Sequence, residues 1–277
     1  MSLSALASVY AGTNSKEFED CLDSLAAQTL PADEIVLVLD GPIASSVRDC
    51  IDRYSAILPI RLLEFTQNRG LGPALHDGLL ACTHDLVARV DTDDRSLPAR
   101  FETQVRFLQR TQTISVVGGM MRELRYIDSK NSSVIRPIPL DHDAICRVAQ
   151  KRNPVNHPTV IFRKKDIIAS GNYGNFRFFE DYELWARVIL RGYRLANMDQ
   201  VLVETTTDSD FFERRRGLFY VHGEIHLARR LYRLRFLSFL KFAQFIILRV
   251  PLRLVPVRIL RFFYQTILRT NESNLSA

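Results

Sequence analysis

Three carboxylates, Asp91, Asp93 and Asp94, crowd into four residues at the end of the run "VARVDTDD". Like charges this close repel, so the cluster asks for a positive partner. In an extended chain Asp91 and Asp93 point the same way while Asp94 points elsewhere. Two carboxylates on one side suit a hard divalent cation, Mn²⁺ or Mg²⁺, that also takes oxygens from a diphosphate. A solvated turn capping a helix that starts near Leu97 is the other reading of the same residues. A second acidic pair, Glu180 and Asp181, follows aromatic residues in "FFEDYELW". Shielding from water there would keep one of them a useful general base, although an Asp at this place equally caps the helix that follows.

Such groups need elements to hold them. "LASVY" (residues 6–10), "EIVLVLD" (34–40), "IRLLEF" (60–65) and "LVARVD" (86–91) read as strands buried on both faces. Between them "SKEFEDCLDSLAAQ", "ASSVRDCIDRYSAI" and "GPALHDGLLAC" carry apolar residues at helical spacing. This βαβαβαβ order predicts an α/β fold with a mostly parallel sheet flanked by helices, which binds ligands outside the carboxyl ends of its strands. Tyr10 closes the first strand, Asp40 the second, Asn68 and Gly70 lie just beyond the third, and the aspartates close the fourth. No G-x-G-x-x-G or G-x-x-x-x-G-K-[ST] follows any of them, which counts against a nicotinamide oxidoreductase or a phosphate-cradling P-loop. Further along, "ISVVGG", "HPTVIFRK" and "YRLANMDQVLVE" read as strands and "MRELRYIDSKNSSVIRPIP" as a polar hairpin. "FFEDYELWARVILRG" leads into a helix with a Gly stop.

With 277 residues, 47% of them apolar, the chain can bury a full-sized core. Its four cysteines are scattered without a C-x-x-C, as expected in a reducing compartment, and "MSLSALASVY" lacks a basic n-region, so a cytoplasmic location is expected. The net charge of +6 is uneven: Arg229 to Arg269 holds ten basic residues and no acid, leaving about −4 for the rest. Phe, Leu and Ile fill the gaps between those charges. The longest uncharged run, "FAQFIIL", is far short of the roughly 20 residues of a spanning helix. We expect a catalytic domain over residues 1–211 and a helical, basic, amphipathic appendage over 212–277. Pro251 and Pro256 should break the appendage into pieces that lie on an anionic membrane surface. Aliphatic interleaving without polar readers fits lipid better than nucleic acid.

Three blocks, "ASVYAGTNSKEFEDCLDSLAAQTLPADEIVLVLDG", "NRGLGPALHDGLLACTHDLVARVDTDD" and "EDYELWAR", resemble the family 2 glycosyltransferases with the GT-A fold, in the branch that builds bacterial surface polysaccharides. The resemblance runs from about Leu6 to Glu204. It implies an inverting, metal-dependent transfer from a UDP-sugar, UDP-galactose or UDP-glucose favoured, to a sugar on a polyprenyl diphosphate at the inner face of the cell membrane. By that resemblance Tyr10 and Asp40 would hold uracil and ribose, with Asn68 and Gly70 beside them. Asp91 would contact ribose or sugar, and Asp93, with Asp91 as a second candidate, would bind Mn²⁺ or Mg²⁺. Asp181 would be the base, Glu180 its alternative. The chain departs from the family where Leu39 precedes Asp40 and where His76 and Asp77 replace an Arg-Asn pair. In "ETTTDSDFFERRRG" the family's aromatic-Arg pair is missing, and Arg214 and Arg215 would instead approach a diphosphate or form a solvated helix face. His157 resembles a residue near the acceptor site, though a lone His before a strand is often structural. "HGEIH" sets His222 and His226 one turn apart without a zinc protease's adjacent Glu. A non-catalytic protein that binds sugar nucleotides or scaffolds at the membrane is the rival reading.

Overall fold

Alternating apolar runs and amphipathic segments produce strand–helix units in the order β1 (Leu3–Val9), α1 (Ser15–Ala26), β2 (Glu34–Leu39), α2 (Ser45–Tyr54), β3 (Ile60–Glu64), α3 (Leu71–Ala81) and β4 (Leu86–Arg89). The computed structural model describes residues 2–127, 130–135, 137–207 and 217–254. Helix α1 starts where Asn14 accepts from the amides of Lys16 and Glu17, satisfying two of the four donors a helix start leaves open. Strand β1 pairs in parallel with both β2 and β4, and β2 with β3. The carboxyl ends of β2, β1 and β4 therefore stand side by side.

The second half continues with β5 (Asp94–Ser96), α4 (Arg100–Arg110), β6 (Ile114–Ile127), β7 (Lys130–Ile135), α5 (His142–Ala149), a 3₁₀ turn (His157–Thr159), β8 (Ile161–Arg163), α6 (Lys164–Ala169), α7 (Glu180–Leu190) and β9 (Arg194–Thr207). Strand order is β3-β2-β1-β4-β8-β6-β9-β5, with β7 paired to β6 as the expected hairpin. Strands β8 and β5 are antiparallel to their neighbours, and β6 and β9 are parallel. Strand β5 follows β4 after four residues yet pairs at the opposite end of the strand order, so the sheet curls round at the aspartates. The strand expected over "HPTVIFRK" shrinks to three residues, because Pro158, with no N–H and a fixed φ, sits in the 3₁₀ turn and Lys164 already opens α6.

Successive residues of each strand face opposite ways, which gives a core on each side of the sheet. Leu3, Ala5, Ala7 and Val9 pack under α1, α2 and α4, while Leu6, Val36, Val38 and Val87 pack under α3 and α7. A fully buried Leu or Phe in such layers is worth about 1.5–3 kcal/mol, so side-chain burial on both faces holds the sheet ends rigid for a site to be built on them.

Helices α8 (Leu218–Arg233) and α9 (Phe239–Leu254) follow, and no described helix is long and apolar enough to cross a membrane. A third core joins Phe179, Tyr182 and Ala186 of the α7 region to Tyr220, Leu227, Leu231 and Phe245 of these two helices. Pro251 does not break α9 as expected; it lies on the exposed face one turn before the last described residue, where the forgone hydrogen bond disturbs little packing. Pro256 and the boundary expected at 211–212 lie outside the described residues. The arginines also do not all face water. Glu224 is fully buried and accepts from Arg249 (Nε 2.8 Å, Nη2 2.9 Å) and Arg253 (Nη2 2.8 Å), while Ile247, Leu248 and Leu252 face outward. Likewise Glu183, buried in α7, accepts from Arg187 at 2.8 Å and from Arg230 of α8 at 3.0 Å. Buried carboxylates demand such partners, so they draw basic residues inward and leave apolar ones outside.

Candidate active site

The adjacent strand ends place Tyr10, Asp40 and Asp91 along one edge of the sheet. Tyr10 is exposed, its amide donating to Thr13 Oγ1 at 3.1 Å while the Thr13 amide returns to its carbonyl at 3.0 Å. Asp40 is buried and accepts from the Arg69 amide at 2.8 Å and the Gly70 amide at 2.9 Å, and Asn68 Nδ2 donates to its carbonyl at 3.1 Å. It thereby pins the 68–70 loop beside the strand ends. Each carboxylate oxygen keeps a second lone pair for a hydroxyl donor. Gly70 has a φ of 92°, which a side chain would strain, and a Cβ on Gly72 would meet the Gly174 carbonyl at 2.2 Å. That contact brings the start of α3 against the loop that leads to Glu180.

Strand β4 ends at Arg89, two residues sooner than expected, and the aspartates are not extended. Residues 91–94 turn, with the Asp94 amide donating to the Asp91 carbonyl at 3.3 Å, because the chain must reverse to send β5 to the other end of the sheet. Asp91 is half-buried, Asp93 exposed and Asp94 buried. Nor do they cap a helix: α4 starts only at Arg100, with Ala99 before it. The positive partners are two arginines of the chain itself. Arg89, fully buried, donates to the Asp91 carboxylate. Arg100, also buried, donates to Ser96 Oγ at 2.8 Å and the Arg89 carbonyl at 2.7 Å, and Asp94 is the acid whose charge bears most on it. Burial and its acidic neighbours push Asp94 well above the ordinary carboxylate range, so the negative charge of the turn gathers on Asp91, which Arg89 answers, and on Asp93. Although Asp93 keeps an open side, the turn crowds its carboxyl, and that partial loss of water, with Asp91 next, pushes it up to about 6. A cation would relieve that strain, and the donor chemistry of an exposed carboxylate fits Mn²⁺ or Mg²⁺. Among the described residues no group of three or more His, Cys, Asp or Glu is placed to hold a metal alone. A cation at Asp93 would complete its shell from substrate phosphates and water, as Mg²⁺ commonly does.

Across from this turn, Glu180 and Asp181 open α7, and both are buried. Asp181 is not the cap: Phe179 holds that position, without a side-chain bond. Instead its Oδ2 accepts from Asn153 Nδ2 at 2.5 Å and its Oδ1 from the Tyr182 amide at 2.7 Å. Burial pushes its carboxyl up to about 6 against those two hydrogen bonds, with Asp91 adding to the rise. Glu180 is driven further, to about 8, by burial first and then by Asp181. Glu180 is raised more than Asp181, so of the two it is Asp181 that gives up its proton more readily. The charge of Asp91 bears on both, so the two acidic centres share one space.

His157 is buried in the wall of that space, its Nε2 2.9 Å from the Tyr173 hydroxyl and its ring edge-on to Trp185. Burial and the Arg89 charge hold its pKa well below the ordinary value, so it stays neutral. His76, at a departure from the family pattern, donates from Nδ1 to the Tyr173 carbonyl at 3.0 Å. His226 packs on Phe176, and Arg214 and Arg215 lie outside the described residues. Sequence reasoning missed Arg89, Arg100 and Asn153. An arginine inside the apolar run "VARV" was a usable signal, since a charge in a two-faced strand must find a counter-charge. Asn153 offered no signal, because only the fold brings it to Asp181.

Residues 9–170 match the profile described as Glycosyl transferase family 2. The chain is 37% identical over 262 residues to the amylovoran biosynthesis glycosyltransferase AmsE of Erwinia amylovora, spanning 95% of this chain and 97% of that one. It is 31% identical over 266 residues to the UDP-Gal:alpha-D-GlcNAc-diphosphoundecaprenol beta-1,3-galactosyltransferase of Escherichia coli, with 96% of each chain covered. Among solved structures, S. aureus TarS 1-349 in complex with UDP-GlcNAc superposes with a TM-score of 0.66 at 16% identity, covering 96% of this chain and 76% of that one. A mannosyltransferase from Pyrobaculum calidifontis in complex with GDP-Man and Mn²⁺ gives 0.62 at 16%, covering 99% and 78%. At such identities these two carry the fold, which is GT-A-like as expected.

Proposed function

This chain belongs to glycosyl transferase family 2 and is a glycosyltransferase of bacterial polysaccharide biosynthesis, and on that premise we propose that it moves a hexose from a UDP-sugar, with inversion, to a sugar carried on a polyprenyl diphosphate. The observation that carries the reading is the pairing of an exposed, charge-crowded Asp93 with a buried Asp181 kept ionised near neutral pH. Tyr10, Asp40 and the 68–70 loop receive the nucleoside, and Asp91, oriented by Arg89, faces ribose or sugar. Asp93 would hold Mn²⁺ or Mg²⁺, which when bound neutralises the charge gathering on the leaving diphosphate. Asp181 takes the proton from the acceptor hydroxyl as that oxygen attacks the sugar C1 from the face opposite the diphosphate. Asn153 and the Tyr182 amide fix the carboxylate for that transfer, and no covalent intermediate is needed. His157, neutral and tied to Tyr173, shapes the acceptor side. The relative that takes UDP-Gal and a diphosphoundecaprenol-linked acceptor supports galactose and a lipid carrier.

UDP release should be strongest with UDP-galactose or UDP-glucose in a screen that includes their N-acetyl forms, and should rise when a polyprenyl-diphosphate-linked sugar is added. Binding of UDP without turnover of any donor would favour the non-catalytic rival.

The reading includes attachment to the inner membrane surface. Its support is the outward apolar face of α9, where Leu240, Ile247, Leu248 and Leu252 are exposed, beside the exposed Arg229, Arg233 and Arg235. Glu224 offsets one of the two charges of Arg249 and Arg253, so attraction to anionic lipid should be weaker than ten charges imply, at about 1 kcal/mol per free basic residue. In flotation, the protein should rise with anionic vesicles at low salt and retain part of that binding at high salt through the apolar face. No binding to anionic vesicles at low salt would remove the membrane role.

A further inference from the structure

An exposed apolar lip beside the base has no part in the chemistry above. Phe178, two residues before Glu180, is 40% exposed and held at a φ of 75°, a conformation unfavourable for a bulky residue. Its ring stacks on Tyr220 at 4.8 Å and meets Phe219 edge-on at 5.6 Å. Phe219 and Leu218, the first residues of α8, are 57% and 78% exposed. Over the Phe219 ring, at 4.4 Å, lies the exposed guanidinium of Arg177. The lip also joins the end of α9: the Gly217 amide donates to the Arg253 carbonyl at 3.0 Å, and Arg253 packs over Tyr220 at 4.5 Å. The lip is thus joined to α9 through Arg253 and ends two residues before Glu180, with a second cation, Arg177, at that end.

We propose that this lip is the subsite for the lipid part of the acceptor: the first isoprene units lie across Leu218 and Phe219, and Arg177 meets the diphosphate that carries the sugar to Asp181. The proposal deepens the function given above and rests on it for the acceptor class. Aromatic and aliphatic faces suit branched isoprenoid methyls, and a planar guanidinium takes phosphate oxygens in pairs. Contiguous exposed apolar groups with a positive charge at one end fit an amphiphile whose anionic head points inward. The strained Phe178 backbone turns its ring outward at the boundary between lip and base.

Farnesyl diphosphate is a soluble probe of both features. With UDP and Mn²⁺ saturating, so that the donor's diphosphate position is filled, it should bind the full chain measurably by calorimetry, and inorganic diphosphate should not. Phe219→Ser and Arg177→Gln should each weaken it about tenfold, and Phe219→Leu by no more than about twofold. Equal affinity in parent and variants, or no binding to the parent, overturns the lip. If UDP itself fails to bind, the donor reading falls, and the titration repeated without UDP still decides the lip by the same criteria. Loss of vesicle binding in Phe219→Ser with farnesyl diphosphate affinity unchanged would make the patch a bilayer contact and overturn the subsite. Self-association of the parent that Phe219→Ser abolishes, with that affinity unchanged, would make it a self-interface and overturn the subsite equally.

Discussion

Replacing Asp181 with Asn lowers the transfer rate by roughly 10²–10⁴ and leaves the affinity for UDP nearly unchanged. The amide keeps the size of the carboxyl and can still accept from the Tyr182 amide, and Asn153 can turn its own amide to accept where it now donates. What is lost is the capacity to take a proton. Glu180→Gln should cost much less, because the carboxyl raised more of the two holds its proton more tightly and is the poorer base. Both variants go into the same assay. A full loss in Glu180→Gln with little change in Asp181→Asn would give the base role to Glu180.

The same carboxyl leaves a signature in pH. A base of pKa about 6 must be ionised to act, so kcat/KM should fall as pH drops below about 6 and level off above it. Stability runs the other way. The folded-state pKa lies above the ordinary carboxylate value of 3.8, so this group's contribution to stability is fully present below that value and is lost as pH rises from there through about 6. The amide of Asp181→Asn escapes that loss. The variant should therefore unfold at a higher temperature than the parent at pH 8, by a margin on the order of 1 kcal/mol that vanishes toward pH 4. A variant both inactive and less stable at pH 8 would point to a structural part for Asp181 instead.

The chain's local pattern carried the first ninety residues well, because strands buried on both faces and amphipathic helices have distinct periods. All four strands, the helices between them and their parallel order are present, with β1 starting three residues earlier and β4 ending two residues sooner than read. Reading failed where distant segments decide. Whether Asp91 and Asp93 lie extended depends on β5 pairing with β9, more than a hundred residues later, and no local period reports that. The direction of Arg249 and Arg253 was misjudged for the same reason: Glu224, a turn before the acid-free stretch begins, draws them inward. The acidic site itself was visible because its chemistry needs residue types that are costly at strand ends. Its supports, Arg100 and Asn153, reach it from other elements and look ordinary in their own segments.

Asp93→Ala should lower turnover by about 10³ or more and abolish metal-dependent UDP binding, while the protein keeps its thermal stability. The stability half of the expectation follows from exposure: Asp93 stands on the open side of the turn, and removing it relieves repulsion among three acids. Asp91→Ala, two residues away, is the contrast. It strips the partner from the fully buried Arg89, and an uncompensated buried charge of that kind costs about 3 kcal/mol or more. One aspartate is thus expected to fail by chemistry and its neighbour in part by folding, a split that a generic acidic surface would not produce. Treatment of the parent with EDTA should reproduce the Asp93→Ala defect, and added Mn²⁺ or Mg²⁺ should restore the parent but not the variant. Full activity in EDTA would sink the cation reading of Asp93. Destabilisation of Asp93→Ala as severe as that of Asp91→Ala would mean instead that the third carboxylate is part of the internal charge balance with Arg89 and Arg100.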